Sequence, residues 1–559
     1  MKKVVIIGGM AAGCKTAARL RRLKPDFDIT VIEKRPFVSF GTCGMPFFAS
    51  GDVDAFFDLA TTPYGLIRNE EFFKKSKKID VLTNVSLEKI DKTNQELFCF
   101  NHKDKTSFTL DYDYLVIATG AKASPPPFPI PNSDKISTFH NPLDAKKFRQ
   151  LAQTGKIEKV VIIGGGYIGC ELAESSTNLW GIETHIIEIQ NKLLPNSLDE
   201  DISKILETHL TKNDINLHLS SKVIKIELNE DSNPVVYFDD QELESDYVFL
   251  CLGVKPETEL AKSIDLKIGN LGGIEVDHSL HTSISNIWAA GDCIEIANII
   301  TNQKDLFPLG SLANRQGRVV ADSIAGLDSS FPGAVGAASI KVFGLTVACC
   351  GLNENKARKA GLEFNSVCGT WYDRPDYHPD AKTLFGKLIY EKNSNRVLGL
   401  QMVGLGEVTR YIDAFSAIAS KKGALDDLVN FEHCYTPPHS GPINPLNNLG
   451  AMALNQELFS IECINPSNFN IEDYEVLDLR EESEVNTNSI NTELKNYPIT
   501  EYLNHLNEFD NNKKIVTICQ KGPRAYEAAV SLKQNGCNNV AYLGGGMQLW
   551  KQIFEESDE

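Results

Sequence analysis

The chain has no run long and apolar enough to cross a bilayer as a helix, which excludes a spanning helical segment. It has no Cys-x-x-Cys pair, which excludes the short dithiol redox motif, and no Cys/His set with zinc spacing. Positive charge is in deficit. Lys and Arg number 56 against 74 Asp and Glu, and the net charge of −18 argues against nucleic acid as the main partner. No secretory signal is expected either. The apolar run near the N-terminus is only Val4–Ile7 and breaks into glycines, so it reads as a buried strand entering a turn. The 13 cysteines are scattered without regular spacing, so reduced thiols in the cytoplasm are expected. What is present is a globular composition, 42% apolar and 23% charged, over 559 residues, too many for one core.

Two stretches carry the same local pattern. KVVIIG (3–8) reads as a parallel-sheet strand, GGMAAG (Gly8 to Gly13) as a turn, CKTAARLRRL as an amphipathic helix, and DITVIEK as a second strand ending on Glu33. The acid about twenty residues beyond the glycines stands where a ribose hydroxyl needs an acceptor. Met10 replaces the middle glycine of the usual spacing. The second copy, KVVIIGGGYIGCELAES, has Gly164, Gly166 and Gly169 in full GxGxxG spacing, with Glu188 at the end of THIIEI. In both copies a pyrophosphate would rest on the N-terminus of the following helix, where free N–H groups and the dipole meet it. A carboxylate at 188 with no arginine following favours NADH, with NADPH as the alternative.

Three further apolar segments end in small residues: YLVIATG at 114–120, YVFLCLG at 247–253 and NIWAAGDC at 286–293. The order GGMAAG, ATG, GGGYIG, CLGVKP, AAGDC resembles the flavin-dependent pyridine nucleotide-disulfide oxidoreductases over roughly residues 1 to 450. The resemblance implies an α/β chain with two Rossmann-type domains, the first for FAD and the second for NAD(P)H. On the FAD side it implies contacts from Gly8, Gly9, Ala12, Gly13, Glu33 and Lys34, then Ala118, Thr119 and Gly120, then Gly253, Gly291 and Asp292. On the NAD(P)H side it implies Gly164, Gly166, Tyr167, Ile168, Gly169 and Glu188.

SFGTCGMPFF (39–48) holds a single cysteine, Cys43, between glycines. The family's dithiol branch uses CxxxxC, and Phe48 stands at the second position. The single-cysteine branch includes NADH oxidases and peroxidases and the coenzyme A-disulfide or persulfide reductases. Oxidases typically carry a histidine at the fourth position of the first glycine loop, which here is Ala11. SFGTCGMP is similar to the CoA-disulfide reductase signature, with Thr42 in place of its usual asparagine. That group uses two partner-subunit tyrosines, matched here by Tyr377 and Tyr435, with His378 and His439 where further tyrosines would stand. Coenzyme A is a large anion, and the resemblance favours Arg19 and Arg22, with Ser39 and Thr42, as its contacts. The lysine run FFKKSKK reads equally well as a solvated basic helix face.

After Leu454 the chain turns polar, then repeats a strand–helix pattern. EVLDLRE and KKIVTIC read as strands, CQKGPR as a turn into a helix, and LGGGMQLW as a closing glycine turn. This resembles a rhodanese domain, with Cys519 in a cradle of backbone N–H groups beside Arg524, an environment expected to lower a thiol pKa and hold a persulfide. The family's glycine-histidine-isoleucine pattern is absent, and EESEVNTNSINTELKNYP stands in its place.

The expected organisation is a discontinuous FAD-binding domain (1–118 and 247–328), an NAD(P)H-binding domain (119–246), an α+β dimerisation domain (329–453) and a rhodanese-like α/β domain (465–559). The expected protein is a cytoplasmic homodimer reducing a small-molecule CoA-disulfide, CoA-persulfide or polysulfide through Cys43, with Cys519 handling sulfane sulfur. No metal, nucleic acid or membrane is expected. The rivals are an NADH oxidase or peroxidase, and a slow-turnover redox sensor or sulfur carrier.

Overall fold

The computed structural model describes residues 1–487, 494–509 and 513–554. It divides into two compact units. One comprises Met1–Gly164, Leu172–His185 and Lys222–Ala334; the other comprises Gly165–Glu171, Ile186–Ser221 and Val335–Glu559. The division falls at the second glycine turn, inside the stretch assigned above to the NAD(P)H domain.

In the first unit a five-stranded sheet runs in the order Ile287–Ala289, Tyr114–Ile117, Lys3–Ile7, Asp28–Ile32, Asp80–Leu82, parallel throughout. Its strands are β-branched and buried on both faces, as a sheet covered by helices requires. Each fully buried Val or Ile contributes roughly 1.5–3 kcal/mol. The helix Ala11–Leu23 lies against Gly310–Ile324, where Thr16 Oγ donates to Gly317 O at 3.1 Å. A side chain on Gly317 would come within 2.4 Å of Ala12 O, so only glycine allows this approach. A second parallel set, Lys159–Ile163, Tyr247–Leu250 and Ile136–Ser137, packs Phe139, Phe148, Tyr247 and Phe249 ring against ring.

The second unit contains an antiparallel five-stranded sheet in the order Ala338–Val342, Leu345–Gly351, Val397–Gly404, Thr383–Glu391, Phe364–Tyr372. A parallel five-stranded sheet follows in the order Glu462–Ile464, Val540–Leu543, Ile515–Ile518, Glu475–Asp478, Lys495–Asn496. Both sets belong to one unit because a buried charge cluster joins them. Lys387 Nζ lies 2.8 Å from Asp201 and 2.8 Å from Glu354, and Ser467 N–H donates to Asp201 at 2.8 Å. Three carboxylates hold the Lys387 ammonium well above the ordinary lysine range against the cost of burial. Removing its charge would leave them unpaired, at about 3–5 kcal/mol.

The tail forms the strands expected of it, and the closing LGGGMQLW continues beyond its glycine turn into a helix, Gly546–Phe554. The polar segment after the first tail strand starts a short helix, Glu482–Thr487; residues 488–493 of that segment, and 555–559 at the domain's end, lie outside the described residues.

Candidate active site

The two glycine turns are built alike. Gly8 has φ +106°, and a side chain there would come within 2.1 Å of Ala118 O; Gly164 has φ +110° and stands in the same relation to Cys251 O at 2.4 Å. Glu33 accepts Gly9 N–H at 2.8 Å and Arg35 N–H at 2.9 Å. Glu188 accepts Gly165 N–H at 2.7 Å and Gln190 N–H at 2.8 Å. Each acid is buried and fixed by backbone donors, and a carboxylate retains lone pairs beyond those two. Cys14 and Cys170 each donate to the carbonyl of their own turn, Gly9 O at 3.0 Å and Gly165 O at 3.8 Å. The copies differ inside the turn, Met10-Ala11-Ala12 against Gly166-Tyr167-Ile168, and at the residue two past the acid, Arg35 against Gln190.

The first turn fits the FAD that the family implies. The helix Ala11–Leu23 carries no acid in its first turn to compete for a phosphate, and Ala12 and Gly13 are buried at its start. Gly13 is glycine because a side chain would strike Gly8 O at 1.9 Å. Gly120 and Gly291 both take positive φ, and Thr119 Oγ donates to Glu257 O. Gly291 N–H is held by Gln316 at 2.7 Å, and burial pushes the neighbouring Asp292 carboxyl up to about 6. An acid whose carboxyl is raised by burial suits hydroxyl donors of a ligand. Lys34 follows Glu33 and is exposed, and Gly253 takes φ +81°.

On the second turn, a side chain at Gly166 would meet open space, leaving the backbone accessible. Ile168 is exposed. Tyr167 shares a hydrogen bond with Cys349 at 3.3 Å, and burial raises its phenol well above the ordinary range. Nothing in the spacing pointed to Cys349, which lies 182 residues away.

The Cys43 loop hangs from the first turn, because Ser39 N–H donates to Gly9 O at 2.7 Å. Ser39 takes φ +52°, a strained region for a non-glycine residue. Gly41 N–H donates to Leu59 O at 2.7 Å, and Thr42–Gly44 forms one tight turn leading into the helix Met45–Ser50. Thr42 and Cys43 are exposed. Phe48, at the position of a second thiol, is buried against Phe56 and the Arg149 guanidinium.

The six-residue helix cannot satisfy its own last carbonyls. Side chains of the surrounding elements do so. Ser175 Oγ donates to Pro46 O at 3.0 Å, Arg149 to Phe48 O at 3.1 Å and Val53 O at 2.6 Å, and Trp180 Nε1 to Ala49 O at 2.9 Å. Sequence reading missed all three, because donors from distant segments have no spacing signature.

Arg19 Nε is held by Asp322 at 2.7 Å, whereas Arg22 is exposed. In the lysine run Lys74 pairs with Asp80 and Lys75 with Glu71. In the second unit Tyr377 and Tyr435 are 70% and 52% exposed, too open for core residues. His378 accepts Asp380 N–H, and the His439 carbonyl accepts Arg410.

Cys519 follows the strand Ile515–Ile518 and is buried. Gly522, at φ +114°, aims its N–H at Cys519 Sγ at 3.1 Å, and the helix Pro523–Gln534 begins there. Met547 N–H donates to Cys519 O and Gln548 N–H to Gln520 O. Arg524 makes a two-point pair with Glu484 at 2.7 Å for each contact. Glu484 comes from the segment that departs from the rhodanese pattern and was not singled out in the sequence. The loop is seated on the antiparallel sheet: Thr370 Oγ donates to Gly545 O at 2.8 Å, and Lys521 lies 3.6 Å from the Tyr372 ring.

Three family models match the chain: pyridine nucleotide-disulphide oxidoreductase over residues 2–317, its dimerisation domain over 337–444, and a rhodanese-like domain over 467–553. The NAD(P)H coenzyme A polysulfide/persulfide reductase of Pyrococcus horikoshii is 34% identical, with 80% of this chain and 97% of the relative covered. An NADH oxidase of Methanocaldococcus jannaschii is 32% identical over the same shares. Among solved structures, a NAD-dependent persulfide reductase from A. fulgidus superposes with TM-score 0.93 at 38% identity, covering 98% of this chain and all of that one. The reduced Bacillus anthracis CoADR-RHD gives TM-score 0.92 at 30% identity, covering 99% and 98%.

Proposed function

This chain belongs to the pyridine nucleotide-disulphide oxidoreductase family, and from that premise we propose that it reduces the sulfur–sulfur bond of a coenzyme A persulfide, with CoA-disulfide and polysulfide as related acceptors, at the expense of NADH. The observation that carries the reading is Cys43, an exposed thiol on a loop hooked to the first glycine turn, with no second thiol at Phe48. Bound FAD would supply the two-electron link between the nicotinamide and sulfur.

The chain's own residues have defined tasks. Cys43, as thiolate, attacks the CoA-bearing sulfur of the persulfide. The sulfur–sulfur bond of the persulfide breaks, hydrosulfide leaves, and Cys43 and CoA are joined by a mixed disulfide. Two electrons and one proton then release CoA thiol and restore the Cys43 thiolate. Ser175, Arg149 and Trp180 hold the helix behind the loop, so the sulfur keeps its position through both steps. Arg22 offers an exposed cation for CoA phosphates, while Arg19 is engaged through its Nε by Asp322. Glu188, with Gln190 following it, suits an adenosine ribose with a free 2′-hydroxyl, hence NADH.

The dimerisation domain supports a homodimer, in which exposed Tyr377 and Tyr435 would serve the partner's site. Cys519 would carry sulfane sulfur on its way to a CoA thiol. Among the described residues no helix is long and apolar enough to cross a membrane.

The test is anaerobic stopped-flow of NADH-reduced enzyme, following flavin absorbance after mixing with CoA persulfide, CoA-disulfide, glutathione persulfide or oxygen. Fast reoxidation by a CoA species that disappears in Cys43→Ser is the expected result. Fast reoxidation by oxygen alone, surviving that substitution, would make the protein an oxidase.

A further inference from the structure

Two cysteines outside this chemistry meet across two sheets. Cys368 sits mid-strand in Phe364–Tyr372, the edge of the antiparallel sheet, and Cys463 sits in Glu462–Ile464, the edge of the parallel one. Both are buried. Between them runs Gly544, and a side chain there would lie 2.5 Å from each sulfur. The two sulfurs therefore lie within about 5 Å of each other, a separation that modest side-chain rotation converts into a bond. Cys463 Sγ reaches Cys368 O at 3.7 Å.

The surroundings split the two sulfurs. Hydrogen bonds from Cys368 and from the Tyr542 hydroxyl hold the Cys463 thiol below its ordinary value despite burial. The same contact and burial push Cys368 well up, partly offset by the Lys387 charge, while Asp201 opposes ionisation of both. One thiol held below its ordinary value beside one held above it gives the pair a defined polarity, with Cys463 the easier to ionise. A cleft of about 470 Å³ adjoins the pair: Cys463, Ser366 and Asn465 line it, with Glu354, Glu457 and Glu462 in the same wall. Glu457 is hydrogen-bonded only by the neutral groups of Asn365 and Tyr390 among the contacts described, so the entrance is anionic and favours an uncharged reagent.

We propose that Cys368 and Cys463 form a redox-responsive dithiol, closed to a disulfide by hydrogen peroxide, that staples the rhodanese-like sheet to the dimerisation sheet. The Cys463 thiolate attacks one peroxide oxygen, the O–O bond breaks, and hydroxide leaves to become water, giving a sulfenic acid. Cys368 attacks that sulfur, the S–O bond breaks, and a second water leaves. Two thiols are oxidised by two electrons and one peroxide is reduced to two waters. The stapled strand also carries Thr370 and Tyr372, so closure fixes the strand on which the Cys519 loop rests.

The experiment treats the native holoprotein with peroxide, quenches with a maleimide in denaturant, and maps the peptides by mass spectrometry. Expected is a linked Cys368–Cys463 peptide, with both of these thiols lost from the alkylatable 13 beside oxidised Cys43. The linkage should persist in the Cys43→Ser, Cys519→Ser double variant and be reversed by dithiothreitol. Hydrogen exchange across residues 460–465 should slow on oxidation. Gly544→Ala, which displaces both sulfurs, should reduce the linked fraction. Both cysteines remaining fully alkylatable at peroxide concentrations that oxidise Cys43, or linkage only after denaturation, would overturn the proposal. The wild-type map decides even if the glycine variant does not fold.

Discussion

The two cysteines to which the proposed reaction assigns its sulfur chemistry, Cys43 and Cys519, sit in opposite settings. Cys43 is exposed on the tight turn Thr42–Gly44, and the helix behind it is held through its carbonyls by Ser175, Arg149 and Trp180. Cys519 is buried, and its position comes from its own loop, with Gly522 N–H aimed at the sulfur and Met547 N–H at its carbonyl. The difference matches two tasks. A nucleophile that must meet a bulky thiol carrier needs an open approach, so its rigidity is supplied from behind. A sulfur that stores a persulfide gains from enclosure by donors.

The sharpest way to break this comparison is to exchange the sulfurs for oxygen. Cys43→Ser should lower NADH-driven reduction of CoA persulfide by roughly 10³-fold or more, while Cys519→Ser leaves that rate nearly intact and removes sulfur transfer. Equal losses in the two variants, measured with preformed CoA persulfide, would erase the division of labour.

Glycine substitutions probe the two modes of support. Gly546 takes φ +64°, and a side chain there would lie 2.5 Å from Cys519 O and 2.6 Å from Lys521 N, both backbone atoms. Gly546→Ala should cost about 3 kcal/mol or more locally, read as lost protection of the Cys519 loop in hydrogen exchange. Gly44 has an ordinary φ, and its side chain would meet only the end of Leu59 at 2.4 Å. Gly44→Ala should cost less than about 1 kcal/mol.

Arg149→Ala removes two hydrogen bonds from the support of the Cys43 helix and should lower kcat roughly 10-fold with little change in KM for NADH. Arg149→Lys should restore part of it. A change confined to thermal stability would show that Arg149 does not position the loop.

The smallest effect concerns Glu484. Its hydrogen bond from Arg524 lowers its carboxyl below the usual 4.5, so its contribution is present at neutral pH and is lost as pH falls through the lowered value. The pair is partly exposed, and Glu484→Gln should flatten the acid limb of the stability curve by no more than about 1 kcal/mol.

Much of this was legible because it is local. Strand, glycine turn, helix and acid follow one another within about thirty residues, so the constraint that makes Gly8 and Gly164 glycine also orders the letters of the motif. The missing second thiol at Phe48, and Cys519 between a strand and a helix, were readable in the same way. Contacts between distant segments left no such trace. The donors behind Cys43, the Tyr167–Cys349 bond, the Glu484–Arg524 pair and the Cys368–Cys463 contact join residues 40 to 182 positions apart. No periodicity links them, and only packing decides which donor meets which carbonyl. By itself the sequence determined the two glycine turns with their acids, and where Cys43 and Cys519 stand relative to the strands and helices around them. The tertiary structure decided how each sulfur is held, because a buried hydrogen-bonding group takes whatever partner the fold brings within 3 Å, however far away in the chain it lies.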